Sequence, residues 1–416
     1  MAAFRFDDPD RYVKGTPYEE FSRLRAEAPF SWQKTSQSHG GEGFWLATRH
    51  RHIVSISKNP RLFATSAPLL ADPLPRNLWS QFPALAMIAD NLMTHDPERH
   101  AIFRPLANAL FNTAKLAEHE ARIRGKCEEI LERVRGRSQL DFASDVALPV
   151  STEIILGGFL GVPHTDLSAL SRCILTINAM DDPFFSPGGQ SLYDAARHLF
   201  EYGIAILQQA KKTPDDSVLH ALVRHDDLLG TTPEQFFLTY WFPLAAGAFD
   251  TTASTIAGGV RALEMYPQQL ERLRADPALI PLAVDEMIRW VSPVIYFRRT
   301  STANTDFEGH HIRKGEKVIL CYASANRDEE VFVRADEFDV GRTPNNHVSF
   351  GYGPHFCLGA RLATLVVRIF LEELVRRVAT IRANGNITYT RSAWMNRIRV
   401  MPSSLGFSDR QNATQP

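Results

Sequence analysis

The residues best suited to chemistry form a glycine-rich bend, Phe350-Gly351-Tyr352-Gly353-Pro354-His355-Phe356-Cys357-Leu358-Gly359, which sets one cysteine just ahead of an apolar helix. A thiolate there is a metal ligand. The backbone N–H groups of Leu358 and Gly359 and the positive end of the helix dipole favour it over the thiol. Gly351 and Gly353 permit close approach of backbone to a flat group, Gly359 lets the helix pack near it, and Phe350 can cover the sulfur. Iron held by sulfur on one face and open on the other points toward oxygen activation. Taken in isolation, such a cysteine reads more readily as a structural thiol beside a helix cap. The surrounding residues shift the reading to a ligand.

Three further groupings carry chemical potential. Asp250-Thr251 places an acid beside an alcohol, just after Gly247 and Ala248, whose small side chains leave room for oxygen or water. Such a pair can pass protons, although helical threonines and aspartates also bond their own backbone. Glu286 and Arg289, three apart on "PLAVDEMIRWV", share a helix face and can pair. Most such pairs lie on surfaces, but Val284, Ile288 and Trp290 suggest a buried setting, where an unpaired charge is costly. His100 and Arg104, four apart in "MTHDPERHAIFR", can reach a common anion; alone, His100 reads as an exposed polar residue.

Positioning these groups requires mostly helices. Periodic apolar residues predict helices over 115–134 (with Cys127 in the core), 195–210, 267–275 and after Cys357. Thr232-Pro233-Glu234-Gln235 is a capping box that opens a long helix through Asp250-Thr251, with Pro243 expected to kink it or free a carbonyl. Strand-like runs occur at 43–49, 317–324 (with Cys321 buried) and 397–402. The expected fold is mainly α with small peripheral β-sheets. No Gly/Ser linker divides the 416 residues, so a single domain over 1–416 is expected, with about 10–405 as ordered core and 409–416 as a polar tail.

Composition sets the outer bounds. Hydrophobic residues make up 44% and charged residues 22%, and a formal net charge of −1 gives no global case for nucleic acid or an anionic membrane. The N-terminus lacks a signal-peptide pattern, and no apolar run reaches the roughly 18–20 residues that span a bilayer. A cytoplasmic protein without a membrane anchor is expected. Four cysteines with no CxxC pair fit neither a disulfide framework nor a zinc site.

"FGYGPHFCLG" resembles the haem-binding loop of the cytochrome P-450 family of haem-thiolate monooxygenases, and the other groupings follow the family's order from about residue 10 to 405. The resemblance implies haem b with Cys357 as axial metal ligand, and Asp250 and Thr251 as catalytic proton donors. It implies Phe350 and Gly359 against the cofactor, and His100, Arg104, Arg299 (in preference to Arg298) and His355 as propionate partners. Glu286 and Arg289 would be joined by Arg342 of "EFDVGRTPN" in a structural cluster. Ala248 departs from the family's frequent glycine, and Val366 from its frequent glutamate.

The same resemblance implies a substrate that displaces water from the iron, O2 as co-substrate, and protons arriving by way of Thr251, Asp250 and waters. No flavin, nicotinamide or iron–sulfur motif is present, so a separate ferredoxin and NAD(P)H-dependent reductase are expected. Arg122, Arg124, Arg361 and Arg368 are candidate docking charges, on a chain expected to be monomeric. The pocket is expected to draw on Phe82, Met87 and Ile88, on Phe184 and Phe185 of a mobile lid over 181–194, and on Ala245, Phe249, Val294, Ile295 and Trp394. Such walls suit a steroid, terpenoid or fatty-acid-like molecule, or a natural-product scaffold. The alternatives are a peroxide-using peroxygenase and a non-catalytic haem-binding sensor or carrier.

Overall fold

The computed structural model describes residues 4–35, 43–65, 90–212, 218–223 and 232–408. Phe82, Met87, Ile88 and the 409–416 tail lie outside the described residues. The main helices are α1 (Tyr18–Glu27), α2 (His50–Ser57), α3 (Pro97–Asn108), α4 (Glu120–Arg133), α5 (His164–Asn178), α6 (Gly189–Lys212), α7 (Pro233–Met265), α8 (Pro267–Ala275), α9 (Ile280–Val291) and α10 (Ala360–Arg377). The predicted helix at 115–134 is broken, because the chain turns at Glu118 and His119 between Thr113–Ala117 and α4.

Strands β1 (Phe30–Lys34), β2 (Gly43–Ala47), β3 (Phe63–Ala64), β4 (Leu140–Asp141), β5 (Tyr296–Ser301), β6 (Thr305–Phe307), β7 (His310–Ile312), β8 (Lys317–Cys321), β9 (Val378–Ala383), β10 (Thr388–Tyr389), β11 (Ile398–Val400) and β12 (Pro402–Phe407) form small sheets at the edges. The largest runs β1-β2-β8-β5-β3, with β2 parallel to β8 and the other pairs antiparallel. The strand-like run at 317–324 ends early: after Cys321 the chain turns into a short helix, Tyr322–Ala325.

The long helix α7 is the axis of the core, packing against α5, α6, α9 and α10. Its start follows the capping box: Thr232 Oγ1 accepts from the Gln235 backbone N–H, and the Gln235 side chain accepts from the Thr232 N–H, each at 3.2 Å. Pro243 has no N–H to give the Thr239 carbonyl. That carbonyl instead accepts from the Leu92 backbone N–H at 3.0 Å, so a break in one element ties down the loop ahead of α3.

Beneath the cysteine loop, Glu286 and Arg289 are fully buried on α9. Arg289 donates to both Glu286 oxygens, at 2.7 and 2.8 Å, and to the backbone carbonyls of Asn326, Ala335 and Glu337. Arg342 joins from the loop, donating to Glu286 from Nε at 3.0 Å and to the carbonyls of Val333, Arg334 and Glu337. The Asp339 N–H and Asn345 Nδ2 also reach the carboxylate. Burial of these charges is tolerable because nearly every polar atom is matched. Among the described residues, no single helix is long and apolar enough to cross a membrane.

Candidate active site

The cysteine loop is shaped by its glycines. Gly351 and Gly353 both have positive φ, 72° and 73°, and a Cβ on Gly353 would lie 2.5 Å from the Ser57 carbonyl oxygen on α2. The Cys357 N–H donates to the Phe350 carbonyl at 2.8 Å, closing the bend. Burial pushes the Cys357 thiol up, while the backbone N–H groups of Gly359 and Ala360 and the charge of Arg104 pull it the other way. The donors thus fall one residue later than the sequence suggests, because Gly359 is the N-cap and α10 begins at Ala360. The exposed surface of Cys357 faces an internal cavity of about 360 Å³.

Across that cavity lies α7, which presents Gly247, Ala248, Thr251, Thr252 and Thr255. Positions on Gly247 and Gly359 that a Cβ would occupy meet nothing within 4 Å, so both walls open onto the same space. Thr251 Oγ1 donates to the Gly247 carbonyl at 2.7 Å, the local bonding open to any helical threonine. Asp250 does not line the cavity. Successive helical residues point about 100° apart, and its fully buried carboxylate turns away to Arg397 Nη1 at 3.1 Å and Asn178 Nδ2 at 3.2 Å. The adjacency of acid and alcohol in sequence is therefore not adjacency in the cavity.

One edge of the cavity gathers His100, Arg104, Arg299 and His355. The rings of His100 and His355 stack with centroids 4.1 Å apart, and Thr65 Oγ1 meets His355 Nε2 at 3.2 Å. Burial, then the charges of Arg299, His100 and Arg104, hold His355 down at about 2. Burial and Arg104 hold His100 at about 4. Burial also lowers Arg104 and Arg299. Among the described residues no carboxylate pairs with any of the four. Two arginines and two histidines on one buried edge, none paired with a carboxylate among the described residues, form a site suited to an anion. Strand alternation along β5 sends Arg299 to this cavity, whereas its neighbour Arg298 does not line it.

The expected pocket residues divide. Val294 and Trp394 line the cavity. Ala245, Phe249, Ile295, Phe184 and Phe185 do not, which corrects the expectation. Ala245 and Phe249 lie four apart on the far face of α7 and are fully buried in the helical core, and Ile295 is buried among Phe6, Phe21 and Tyr296. Phe184 is 68% exposed. Phe185 sits under the Arg397 guanidinium, 4.2 Å from its ring centroid.

Arg397 belongs to a clasp that sequence reading missed. Arg399 pairs with Asp182 at 3.4 Å and lies over Phe184, while Arg391 donates to the Asp181 carbonyl and pairs with Asp10. Three arginines of one C-terminal segment thus hold the loop between α5 and α6. The alternating "RSAWMNRIRV" is its faint signal.

Missed cavity residues include Asn178, Met180, Leu192, Ala196 and Phe242. On the outer side, Arg124 pairs with Glu372 and Glu373, and Arg368 with Glu120 and Glu372. Those two expected docking charges are therefore paired within the fold while staying partly exposed. Arg122 donates to the Gly158 carbonyl, and Arg361 stays exposed.

A sulfur on one wall, a hydroxyl-bearing helix opposite and a basic edge without counter-anions fit an iron porphyrin with two propionates. The sequence profile of the family described as Cytochrome P450 matches residues 171–382. The chain belongs to the cytochrome P450 family, the haem-thiolate monooxygenases. It is 32% identical over 386 residues to cytochrome P450-terp of a Pseudomonas species, covering 88% of each chain. It is 29% identical over 394 residues to linalool 8-monooxygenase of Pseudomonas putida, covering 94% of this chain and 96% of that one. A Mycobacterium marinum cytochrome P450 solved in complex with pseudoionone superposes with a TM-score of 0.87 at 29% identity, covering 97% of this chain and 100% of that chain.

Proposed function

We propose that Cys357 would hold the iron of haem b through its thiolate, and that this enzyme hydroxylates a lipophilic, weakly polar small molecule in the cytoplasm. His100, Arg104, Arg299 and His355 would hold the propionates, with Phe350 and Gly359 packed against the ring. Electrons would come from a separate ferredoxin and an NAD(P)H-dependent reductase to a monomeric chain. The observation that carries the reading is that Cys357 on one wall and Thr251 on the helix opposite line the same, largely apolar cavity. Bound haem supplies oxygen activation at its iron.

The protein's part is positioning, exclusion of water and control of protons. Thr251 Oγ1, having donated its hydrogen to the Gly247 carbonyl, keeps lone pairs to hold a water or accept a proton at the groove. To resupply that hydroxyl, Asp250 must turn from Arg397 and Asn178 or reach it through water, so proton delivery is tied to the segment that carries Arg397. The apolar lining from Met180, Leu192, Phe242, Leu244 and Val294 supports a lipophilic substrate. So do relatives whose names specify linalool and whose structures hold pseudoionone.

The test is a screen of terpenes, steroids and fatty acids for a shift in ferric spin state, followed by turnover of whatever binds. Oxygenated product with ferredoxin and reductase supports the reading. Equal turnover with hydrogen peroxide alone would make the protein a peroxygenase, and no product from any bound lipophile would make it a sensor or carrier. Thr251→Ala is expected to keep the spin shift but lower product formed per NAD(P)H consumed by roughly tenfold or more, as loss of the group that positions a proton-carrying water does. An unchanged ratio would remove Thr251 from the proton path.

A further inference from the structure

Asn178, the last residue of α5, is a buried polar side chain on the cavity wall, only 4% exposed. Its amide can face only one way. Nδ2 donates to the Ala246 carbonyl at 3.1 Å and to Asp250 Oδ2 at 3.2 Å. Both partners are acceptors, so the amino group must point at them and Oδ1 is left over. Among the described residues nothing donates to Oδ1, and this atom is not sealed from the cavity as other orphaned atoms are. An acceptor held in a buried apolar wall without a donor is disfavoured until a ligand supplies one.

We infer that Asn178 Oδ1 is the docking acceptor for a hydroxyl group of the substrate, which makes the enzyme selective for lipophilic alcohols. The inference rests on the lipophilic-substrate reading and narrows it. A hydroxyl donates to Oδ1. A ketone or carboxylate brings only lone pairs against Oδ1, with the Asp250 carboxylate behind it, and a hydrocarbon leaves Oδ1 unmatched. The neighbouring wall offers a ketone nothing in exchange. Thr251, Thr252 and Thr255 each donate to the carbonyl one turn back on α7, at 2.7, 2.9 and 2.8 Å. The indole N–H of Trp394 has no partner, but it is enclosed away from the cavity.

The experiment is a spin-state titration of the ferric holoenzyme with menthol, menthone and p-menthane, and with androstanol, androstanone and androstane as a larger skeleton. At least one alcohol is expected to bind about tenfold more tightly than its ketone and its hydrocarbon, the effect of one well-placed hydrogen bond. Asn178→Leu is expected to weaken that alcohol about tenfold and leave the hydrocarbon unchanged, erasing the preference. Equal binding of alcohol and ketone, a preference that survives in the variant, or binding of neither alcohol overturns the inference. Silence across the wider lipophile screen would remove the substrate reading as well. If Asn178→Leu takes up no haem, Asn178→Ser and the wild-type ranking decide the matter by the same criteria.

Discussion

Cys357→His protein is expected to retain part of its haem, to lose the thiolate signature in the carbon monoxide difference spectrum, and to fall to background in monooxygenase turnover. The loop supplies the reason. Its bend is closed by the Cys357 N–H on the Phe350 carbonyl, a contact that the substitution leaves intact, so the ring can still be seated. The open space at Gly359 gives an imidazole room. A neutral imidazole cannot, however, use the Gly359 and Ala360 N–H groups that favour an anion at position 357. It also lacks the thiolate's electron donation, which favours O–O cleavage. A difference spectrum identical to that of the wild type would show that the ligand lies elsewhere.

The second large effect is expected at Glu286→Gln. The substitution keeps the shape of the side chain and removes its charge, leaving Arg289 and Arg342 without their shared counter-ion where both are buried. Breaking a buried ion pair from one side costs about 3–5 kcal/mol. Divided by an unfolding entropy of roughly 0.9 kcal/mol/K for a chain this long, that is a fall in melting temperature of about 5 °C. Haem retention should drop with it, since the cluster fixes the loop from Val333 to Asn345 that leads into the cysteine bend. Glu20→Gln, which breaks the exposed pair with Arg23, provides the contrast, because surface pairs contribute about 0–1 kcal/mol. Melts followed by circular dichroism and by haem absorbance would check this; equal midpoints for the two variants would refute a structural role for the cluster.

Sequence disclosed what is encoded locally. The cysteine bend, the capping box at Thr232 and the Glu286–Arg289 pair each lie within a few consecutive residues, where spacing alone fixes geometry. Even Arg299 against Arg298 is settled by the alternation of a strand. The pocket was less legible because it depends on helix phase and distant packing. Ala245 and Phe249 are apolar in the right helix, but they face the wrong side of it. Asp250 is held by a residue 147 positions away, a partnership that leaves no local pattern. Asn178 was overlooked for a related reason: its importance lies in which of its atoms is left unmatched, and that is decided by α7.

The loop between α5 and α6 is fastened largely by arginine contacts to carboxylates, carbonyls and aromatic faces. Two of these, Arg399 with Asp182 and Arg391 with Asp10, are partly open to solvent. Dissolved salt weakens such partly exposed pairs and leaves apolar contacts intact. If this loop must loosen to admit the ligand, as the lid expected over 181–194 would, the ligand's arrival rate should rise with ionic strength even when the ligand is uncharged. Electrostatic steering of a charged ligand would give the opposite dependence.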